Sequence, residues 1–143
     1  MKRVLIPIDG SECALRGVAL VISKRALYLS PDEFEIHLIN VQAPFSNDIR
    51  RFVSNEQTAA FHREESEEAL QGARAMLDAA GVKYTCHVEV GNVAETITEL
   101  AKSIQCDEIV MGTHGRGAFK EFMMGSIPLK VIALSSIPVL LIK

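Results

Sequence analysis

The spacing of apolar residues alternates between two periods along this chain of 143 residues. Residues 4–8 form a short apolar run with β-branched side chains, which is typical of a strand buried on both faces. After Ser11, a residue type that caps helices, apolar side chains recur at helical spacing at positions Ala14, Leu15, Val18, Val21, Ile22 and Leu29. The first thirty residues therefore predict a buried strand followed by an amphipathic helix.

The same change of period returns along the rest of the chain. Four further apolar or alternating runs predict strands at residues 34–41, 82–90, 108–112 and 137–142. Residues 42–54 follow the second strand and contain a proline, an asparagine and an aspartate, so they predict a loop.

Three further helices are expected between these strands. The second helix is predicted over residues 55–80, with Gly81 as its left-handed C-terminal cap. The third begins at Asn92, which resembles a capping box together with Glu95. The fourth begins at Ser126. Strands and helices therefore alternate over the whole chain.

This alternation predicts an α/β fold. Parallel strands joined by right-handed crossovers place helices on both faces of the sheet, giving a three-layer open sandwich in one domain over residues 1–143. The pattern leaves the strand order open. In the common doubly wound order, ligands bind beyond the carboxyl ends of strands 1 and 4. These ends carry the segments PIDGS (residues 7–11) and MGTHGRG (residues 111–117).

Composition and charge exclude several classes of protein. The chain is 48% hydrophobic, 23% charged and carries a net charge of −3. That balance argues against a dedicated nucleic-acid binder and against an electrostatic membrane anchor. Its apolar runs are too short for a secretion signal or a membrane span. Three widely spaced cysteines in a chain of this size predict no disulfides and a reducing cytoplasm.

The segment after the fourth strand is rich in glycine. Gly112, Gly115, Gly117 and Gly125 are four of the nine glycines in the chain, and Ser126 follows them at a helix start. Such a loop is a natural anion site, because its amide groups approach phosphate oxygens closely and the helix dipole favours negative charge. Glycine clusters also arise from turn geometry alone, so both interpretations remain open. The pattern is neither a P-loop nor a dinucleotide fingerprint.

Several segments together resemble the universal stress protein family, in its ATP-binding branch. They are VLIPIDGS at residues 4–11, Asn40-Val41, EIVMGTHGRG at residues 108–117, the spacing Gly112-x-x-Gly115-(nine residues)-Gly125-Ser126, and the closing SSIPVLLIK. The resemblance implies a five-stranded parallel sheet in the order 3-2-1-4-5, similar to that of adenine nucleotide alpha hydrolases. It also implies adenine-nucleotide binding beyond the carboxyl ends of strands 1 and 4. It further implies homodimers paired through strand 5, from Ile137 to Ile142.

The resemblance further implies how ATP is bound, with Mg²⁺ bridging its phosphates. Ten positions would contact the nucleotide: Asp9 beside the adenosine; Pro7, Val41 and Met111 around the base; Gly112, His114 and Gly115 along the ribose and phosphates through their backbones; and Gly125, Ser126 and Ile127 at the outer phosphates.

Other interpretations of these residues stay open. Asp9 also fits an ordinary strand-to-helix turn, and Ser126 could cap its helix, donate to a phosphate, or do both. Arg116 and Lys120 could neutralise phosphate charge or simply be solvated. Pro128 has no backbone N–H group, so the first turn of the fourth helix offers one amide donor fewer to a phosphate.

The remaining polar residues carry weaker predictions. No two of the histidines His37, His62 and His87 have metal-ligand spacing, and the charged run at residues 62–68 predicts a solvated helix face. Cys13 is expected to be a small buried apolar residue.

Three functions are compatible with these observations. The first is an ATP-binding stress-response protein that acts as a nucleotide-dependent dimeric switch. The second is a dimeric interaction module that binds no nucleotide. The third is a slow ATPase, which the sequence supports least, because no base stands beside a nucleophile.

Overall fold

The computed structural model describes residues 2–27, 30–115 and 124–143. Its five strands are β1 (Lys2–Pro7), β2 (Phe34–Gln42), β3 (Tyr84–Val90), β4 (Glu108–Gly112) and β5 (Val139–Ile142). Its helices are α1 (Glu12–Arg25), α2 (Asn47–Arg50), α3 (Asn55–Ala79), α4 (Val93–Ser103) and α5 (Ser126–Leu134), with a short 3₁₀ turn at Pro31–Glu33.

The strands form one sheet in the order β3-β2-β1-β4-β5, and every neighbouring pair is parallel. This confirms the predicted fold and strand order. β1 pairs with β2 over its whole length, from Lys2 to Pro7, whereas its register with β4 joins Val4 to Glu108 and Leu5 to Ile109. Among the described residues the pairing of β1 with β4 goes no further, so a crevice opens between their carboxyl ends.

Alternate side chains of the central strands fill two separate cores. On one face, Val4, Ile6 and Leu38 pack against α1 and α3. On the other face, Leu5 and Ile109 pack against α4 and α5. Burying each such side chain stabilises the fold by about 1.5–3 kcal/mol, so the continuous apolar runs of these strands require helices on both faces.

Three helix ends have the capping residues that the sequence predicts. The Ser11 hydroxyl accepts a hydrogen bond from the Ala14 amide at 3.2 Å, and the Asn92 side chain accepts one from the Glu95 amide at 3.2 Å. Gly81 follows α3 with a φ of 65°, the left-handed conformation that glycine adopts without strain.

Several elements differ from the prediction, and β1 spans Lys2–Pro7 where an apolar run at residues 4–8 was expected. The predicted loop at residues 42–54 contains the helix α2, which begins where the Ser46 hydroxyl accepts from the Ile49 amide. β3 begins two residues later than expected, since the Val82 amide donates to the Leu77 carbonyl and closes the turn after α3. β5 also begins two residues late, because Pro138 lacks an amide hydrogen and the Ser135 hydroxyl accepts from the Ile137 amide. Leu29, predicted on the first helix, lies outside the described residues.

The charged run at residues 62–68 is only partly a solvated face, which corrects the sequence interpretation. His62 and Ser66 are buried, while Glu64 and Glu67 are exposed. The two buried residues lie one helical turn apart on the side of α3 that faces the protein, and the Phe45 ring covers His62 with the ring centres 5.1 Å apart. Charge content alone did not show which side of the helix each residue occupies.

Within the described ranges, no helix combines the length and the apolar composition that crossing a membrane requires.

A buried amide side chain holds the end of β1 in place. The Asn40 Nδ2 group donates to the Ile8 carbonyl at 2.8 Å, and the Asn40 Oδ1 atom accepts from Gln42 at 2.9 Å. We expect Asn40→Ala to lower the free energy of unfolding in urea by about 1–3 kcal/mol, because it removes both bonds from a buried site. Gln42→Ala is the matched control, since it removes only the second bond. An equal cost for both variants would contradict a role for the bond to Ile8.

Candidate functional site

A cavity of about 260 Å³ lies beyond the carboxyl ends of β1 and β4, at the point where these strands diverge. All ten positions predicted from the sequence line it: Pro7, Asp9, Val41, Met111, Gly112, His114, Gly115, Gly125, Ser126 and Ile127. They come from four separate parts of the chain, which the sheet order brings together.

One wall of the cavity is apolar. Pro7, Val41 and Met111 belong to this wall, together with Ile39, Val93 and Ile97, which the sequence analysis did not assign to the site. Val93 and Ile97 lie in the first turns of α4, where Ile97 is also buried in the core. The core stripe of α4 continues past the edge of the sheet, so the same helix face contributes to the core and to the cavity.

The Asp9 carboxylate is the charged group in the cavity lining that the structure describes. Its Oδ1 atom accepts from the Ser11 amide at 2.9 Å and so forms the turn between β1 and α1. Gly10 occupies this turn with a φ of 85°, a conformation that favours glycine. The Oδ2 atom is directed towards Gly115. The Asp9 side chain therefore both stabilises the turn after β1 and lines the cavity.

Two of the glycines are required by close packing. A Cβ atom at Gly112 would lie 2.9 Å from the Cys13 sulfur and 3.2 Å from the Ala14 amide nitrogen, so α1 approaches β4 here at backbone distance. A Cβ atom at Gly115 would lie 2.7 Å from the Asp9 Oδ2 atom. The distances to the Cys13 sulfur and to the Asp9 Oδ2 atom are too short for a Cβ atom unless the neighbouring side chain shifts.

Cys13 is buried, as the sequence predicts, and its thiol has a structural hydrogen bond. The Cys13 sulfhydryl donates to the Ile142 carbonyl at 2.8 Å, which connects the start of α1 to the end of β5. This bond explains why a small residue with one weak donor stands at this position.

The start of α5 closes the third side of the cavity. Gly125, not Ser126, is the cap of this helix, and it makes no side-chain capping bond; its amide donates to the Thr113 carbonyl at 2.8 Å. The expectation that Ser126 caps the helix is therefore wrong, because Ser126 is already the first helical residue. Pro128 is buried at the cavity wall, where its ring replaces an N–H group.

His114 is held by its neighbour. Its Nδ1 atom lies 2.9 Å from the Thr113 hydroxyl, while its Nε2 atom is buried and has no hydrogen-bond partner among residues 2–27, 30–115 and 124–143. No nucleophilic side chain is bonded to this imidazole apart from Thr113 among the described residues.

Charge in the cavity is sparse. Among the described residues that line it, Asp9 carries the single formal charge. Arg116 and Lys120, which the sequence offers as partners for phosphate, lie outside the described residues, as does Gly117. The described parts of the chain contain no cluster of three or more side chains suited to a metal ion.

Comparison with known proteins places this geometry in a family. The family model described as the universal stress protein family matches residues 1–143. The chain belongs to this family. Universal stress protein MJ0531 from Methanocaldococcus jannaschii is 32% identical over 148 residues, which cover 99% of this chain and 82% of the relative.

Solved structures agree with this assignment. The structure of MJ0577 from the same archaeon superposes with a TM-score of 0.81 at 30% identity and covers 99% of this chain and 95% of that one. A universal stress protein from Archaeoglobus fulgidus in complex with dAMP has a TM-score of 0.71 at 19% identity, covering 100% of this chain and 98% of that one. At that identity the second comparison shows a shared fold.

The contact between Gly115 and Asp9 in this universal stress protein leads to a double-mutant cycle. We expect Gly115→Ala to lower the free energy of unfolding by about 1 kcal/mol, because the new methyl group turns the carboxylate away from the Ser11 amide. In an Asp9→Ala background this cost should largely disappear, giving a coupling of about 0.5–1 kcal/mol in urea denaturation.

Gly17→Ala is the control for this cycle. Its Cβ atom would meet nothing nearer than 3.6 Å, so its effect should add independently to that of Asp9→Ala. Additive effects for Gly115→Ala as well would show that the two residues do not interact.

Proposed function

We propose that this universal stress protein binds an adenine nucleotide, ATP in the first place, in the cavity between β1 and β4. The observation that carries the proposal is the convergence on one cavity of ten residues from four parts of the chain. One side of that cavity is apolar and the other combines a carboxylate with backbone amides. A nucleotide has the same division between base and sugar phosphate.

The apolar wall suits the adenine ring. Pro7, Val41 and Met111 present carbon and sulfur atoms without competing donors, and a planar base buries its faces well against such surfaces. The cavity, at about 260 Å³, is below the roughly 300–1,000 Å³ of sites that enclose a drug-sized ligand. We therefore assign the base and part of the ribose to the cavity, with the phosphates along its open side.

Electrostatics orients the ligand within the site. The Asp9 carboxylate accepts hydrogen bonds from hydroxyl groups and repels phosphate, so the ribose belongs next to Asp9. The phosphates belong at the start of α5, where the amides of Ser126 and Ile127 lie in the first turn of the helix and the dipole is favourable. Pro128 supplies no amide, which reduces the number of donors by one.

Mg²⁺ enters the proposal through the ligand. Because the described residues hold no cluster of metal-ligating side chains, the ion would be held by phosphate oxygens. The complex of the Archaeoglobus fulgidus protein with dAMP supports an adenine nucleotide as the ligand class, since that protein shares the fold.

Isothermal titration tests the proposal. We expect nucleotide-stripped protein to bind ATP with Mg²⁺ saturably at micromolar concentration and in preference to GTP. Asp9→Asn should weaken binding about tenfold or more, because it keeps the shape of the side chain but removes the charged acceptor for the ribose.

Glu12→Gln is the matched control for Asp9→Asn. It removes one negative charge three residues away, outside the cavity lining, and should leave the affinity within about threefold. Absence of binding at millimolar nucleotide would contradict the proposal and favour an interaction module without a ligand.

We also propose that the protein is a homodimer paired through β5, so that nucleotide state is communicated across a two-fold axis. β5 is an edge of the sheet and all four of its residues are partly exposed. α5, which precedes it, exposes Leu129 at 54% and Ile132 at 44%. An apolar edge strand is an aggregation hazard unless it is paired, and a two-fold dimer removes the hazard.

Light scattering at micromolar concentration tests the dimer. We expect the mass of a dimer for the unchanged chain and that of a monomer for Ile132→Glu, because a charge at the proposed interface costs desolvation without a partner. Leu27→Glu is the control, since Leu27 is 83% exposed on a turn elsewhere in the chain. A monomer for the unchanged protein would contradict the proposal.

A further inference from the structure

A row of polar side chains crosses three strands on the α4 side of the sheet. In β1, the Arg3 Nε group donates to Glu35 at 2.5 Å. In β2, the Glu35 Oε2 atom lies 3.7 Å from the His37 Nε2 atom. The His37 Nδ1 atom in turn lies 2.9 Å from the Nε2 atom of His87 in β3. This row contains the side-chain hydrogen bond that joins the edge strand β3 to β2.

The two imidazole rings lie edge to edge. Their centres are 5.2 Å apart and their planes differ by 21°. The distance between the ring centres, 5.2 Å, equals the 2.9 Å nitrogen–nitrogen distance plus about one ring radius on each side. The two nitrogens must therefore lie nearly on the line that joins the ring centres. The contact is therefore a straight N–H···N bond, the strong geometry for this interaction.

The neighbouring carboxylate favours one tautomer of His37, because its Oε2 atom lies 3.7 Å from the Nε2 atom and attracts an N–H group there. Glu35 accepts hydrogen bonds only, so it favours a proton on the His37 Nε2 atom. A neutral imidazole has one proton, which leaves the His37 Nδ1 atom as an acceptor. The proton in the bond between the rings therefore belongs to His87.

Protonation of the two rings has opposite effects on this bond. A proton added at the Nδ1 atom of His87 leaves the bond intact, because the Nε2 atom keeps its hydrogen. A second proton can be taken up only at the His37 Nδ1 atom, where it faces the N–H group of His87. That step replaces the hydrogen bond with two donors and two positive charges 2.9 Å apart.

Three charged or titratable groups face His37. They are Arg3 from β1, Glu35 from the same strand and His87 from β3, while α4 presents the apolar residues Ala94, Ile97 and Ala101 to this face. Burial lowers the pKa of His37 from its ordinary value, and His87 lowers it further, against the opposing effect of Glu35. The His37 side chain is only 13% exposed.

We propose that the His37–His87 pair is an acid-operated release for the edge strand β3. Near neutral pH the pair adds a side-chain bond to the backbone ladder that joins β3 to β2, and when both rings are protonated repulsion replaces this bond and weakens the junction. This device is independent of the proposed nucleotide site but adjoins it. His87 is in register with Ile39, which lines the cavity, so release of β3 loosens a strand of the cavity wall.

The direction of the pH dependence follows from the neutral preference of His37. When β3 is released, His37 takes up a proton near the ordinary histidine pKa of about 6.5. When β3 is paired with β2, His37 stays neutral to a lower pH. Stability of the β2–β3 junction is therefore complete above that value and decreases as the pH falls below it.

Amide hydrogen exchange of the whole chain, followed by NMR at pH 7.5 and 5.5 in EDTA, tests the proposal. After correction for intrinsic rates, we expect the exchange of β3 amides to rise about tenfold at the lower pH, the factor for one proton taken up one unit below pKa 6.5. Amides of β4 should change much less, because the release is local.

His37→Gln is the decisive variant. Its side-chain oxygen still accepts from His87 but does not titrate, so β3 exchange should become the same at both pH values. Glu89→Gln is the control, since it removes a charge from β3 outside the pair and should retain the full pH response. An unchanged exchange of β3 in the wild-type chain would overturn the proposal.

A second measurement stands even if the glutamine variant folds poorly. An NMR titration of the wild-type protein should show the His37 imidazole protons titrating below the ordinary histidine range, because burial and the neighbouring His87 lower the pKa of His37. Titration of His37 at the ordinary histidine pKa of about 6.5 would overturn the proposal.

Discussion

The parallel pairing of β1 at the centre of the sheet is the constraint on which the rest of the structure depends. Val4, Leu5 and Ile6 are successive residues with opposite orientations, and all three are almost completely buried. Neither face of this strand can remain in water, so helices must cover both faces and each connection must cross over the sheet. All carboxyl ends then meet at one edge, which is where the cavity forms.

At that edge, hydrogen bonds between side chains and backbone groups replace apolar packing. Asn40 holds the Ile8 carbonyl, Asp9 holds the Ser11 amide, and Cys13 holds the Ile142 carbonyl. Each bond joins the end of one element to the start or end of another. The position of the cavity is thus determined by the buried sheet, whereas its shape depends on a few polar side chains at the ends of the strands.

Much of this could be predicted from the sequence, because burial on two faces leaves a direct record in the pattern of apolar residues. The strands, the crossovers and the glycine-lined edge follow from such patterns, and the resemblance to a family supplied the strand order. The burial of His62 and the pairing of His37 with His87 could not be predicted. They depend on which side of α3 faces inward and on the register of β3 against β2, and neither is encoded in local spacing.

The contact of Gly112 with the start of α1 has a consequence for how the glycine motif is used in comparing sequences. A side chain at this position would collide with Cys13 and with the Ala14 backbone whether or not a ligand is present. Selection for a folded chain is therefore sufficient to retain this glycine, even in a descendant that has lost its ligand. Persistence of the first glycine of the motif reports on helix packing. Evidence for binding has to come from positions such as Asp9, whose Oδ1 atom accepts from the Ser11 amide while its Oδ2 atom is directed towards Gly115 at the cavity.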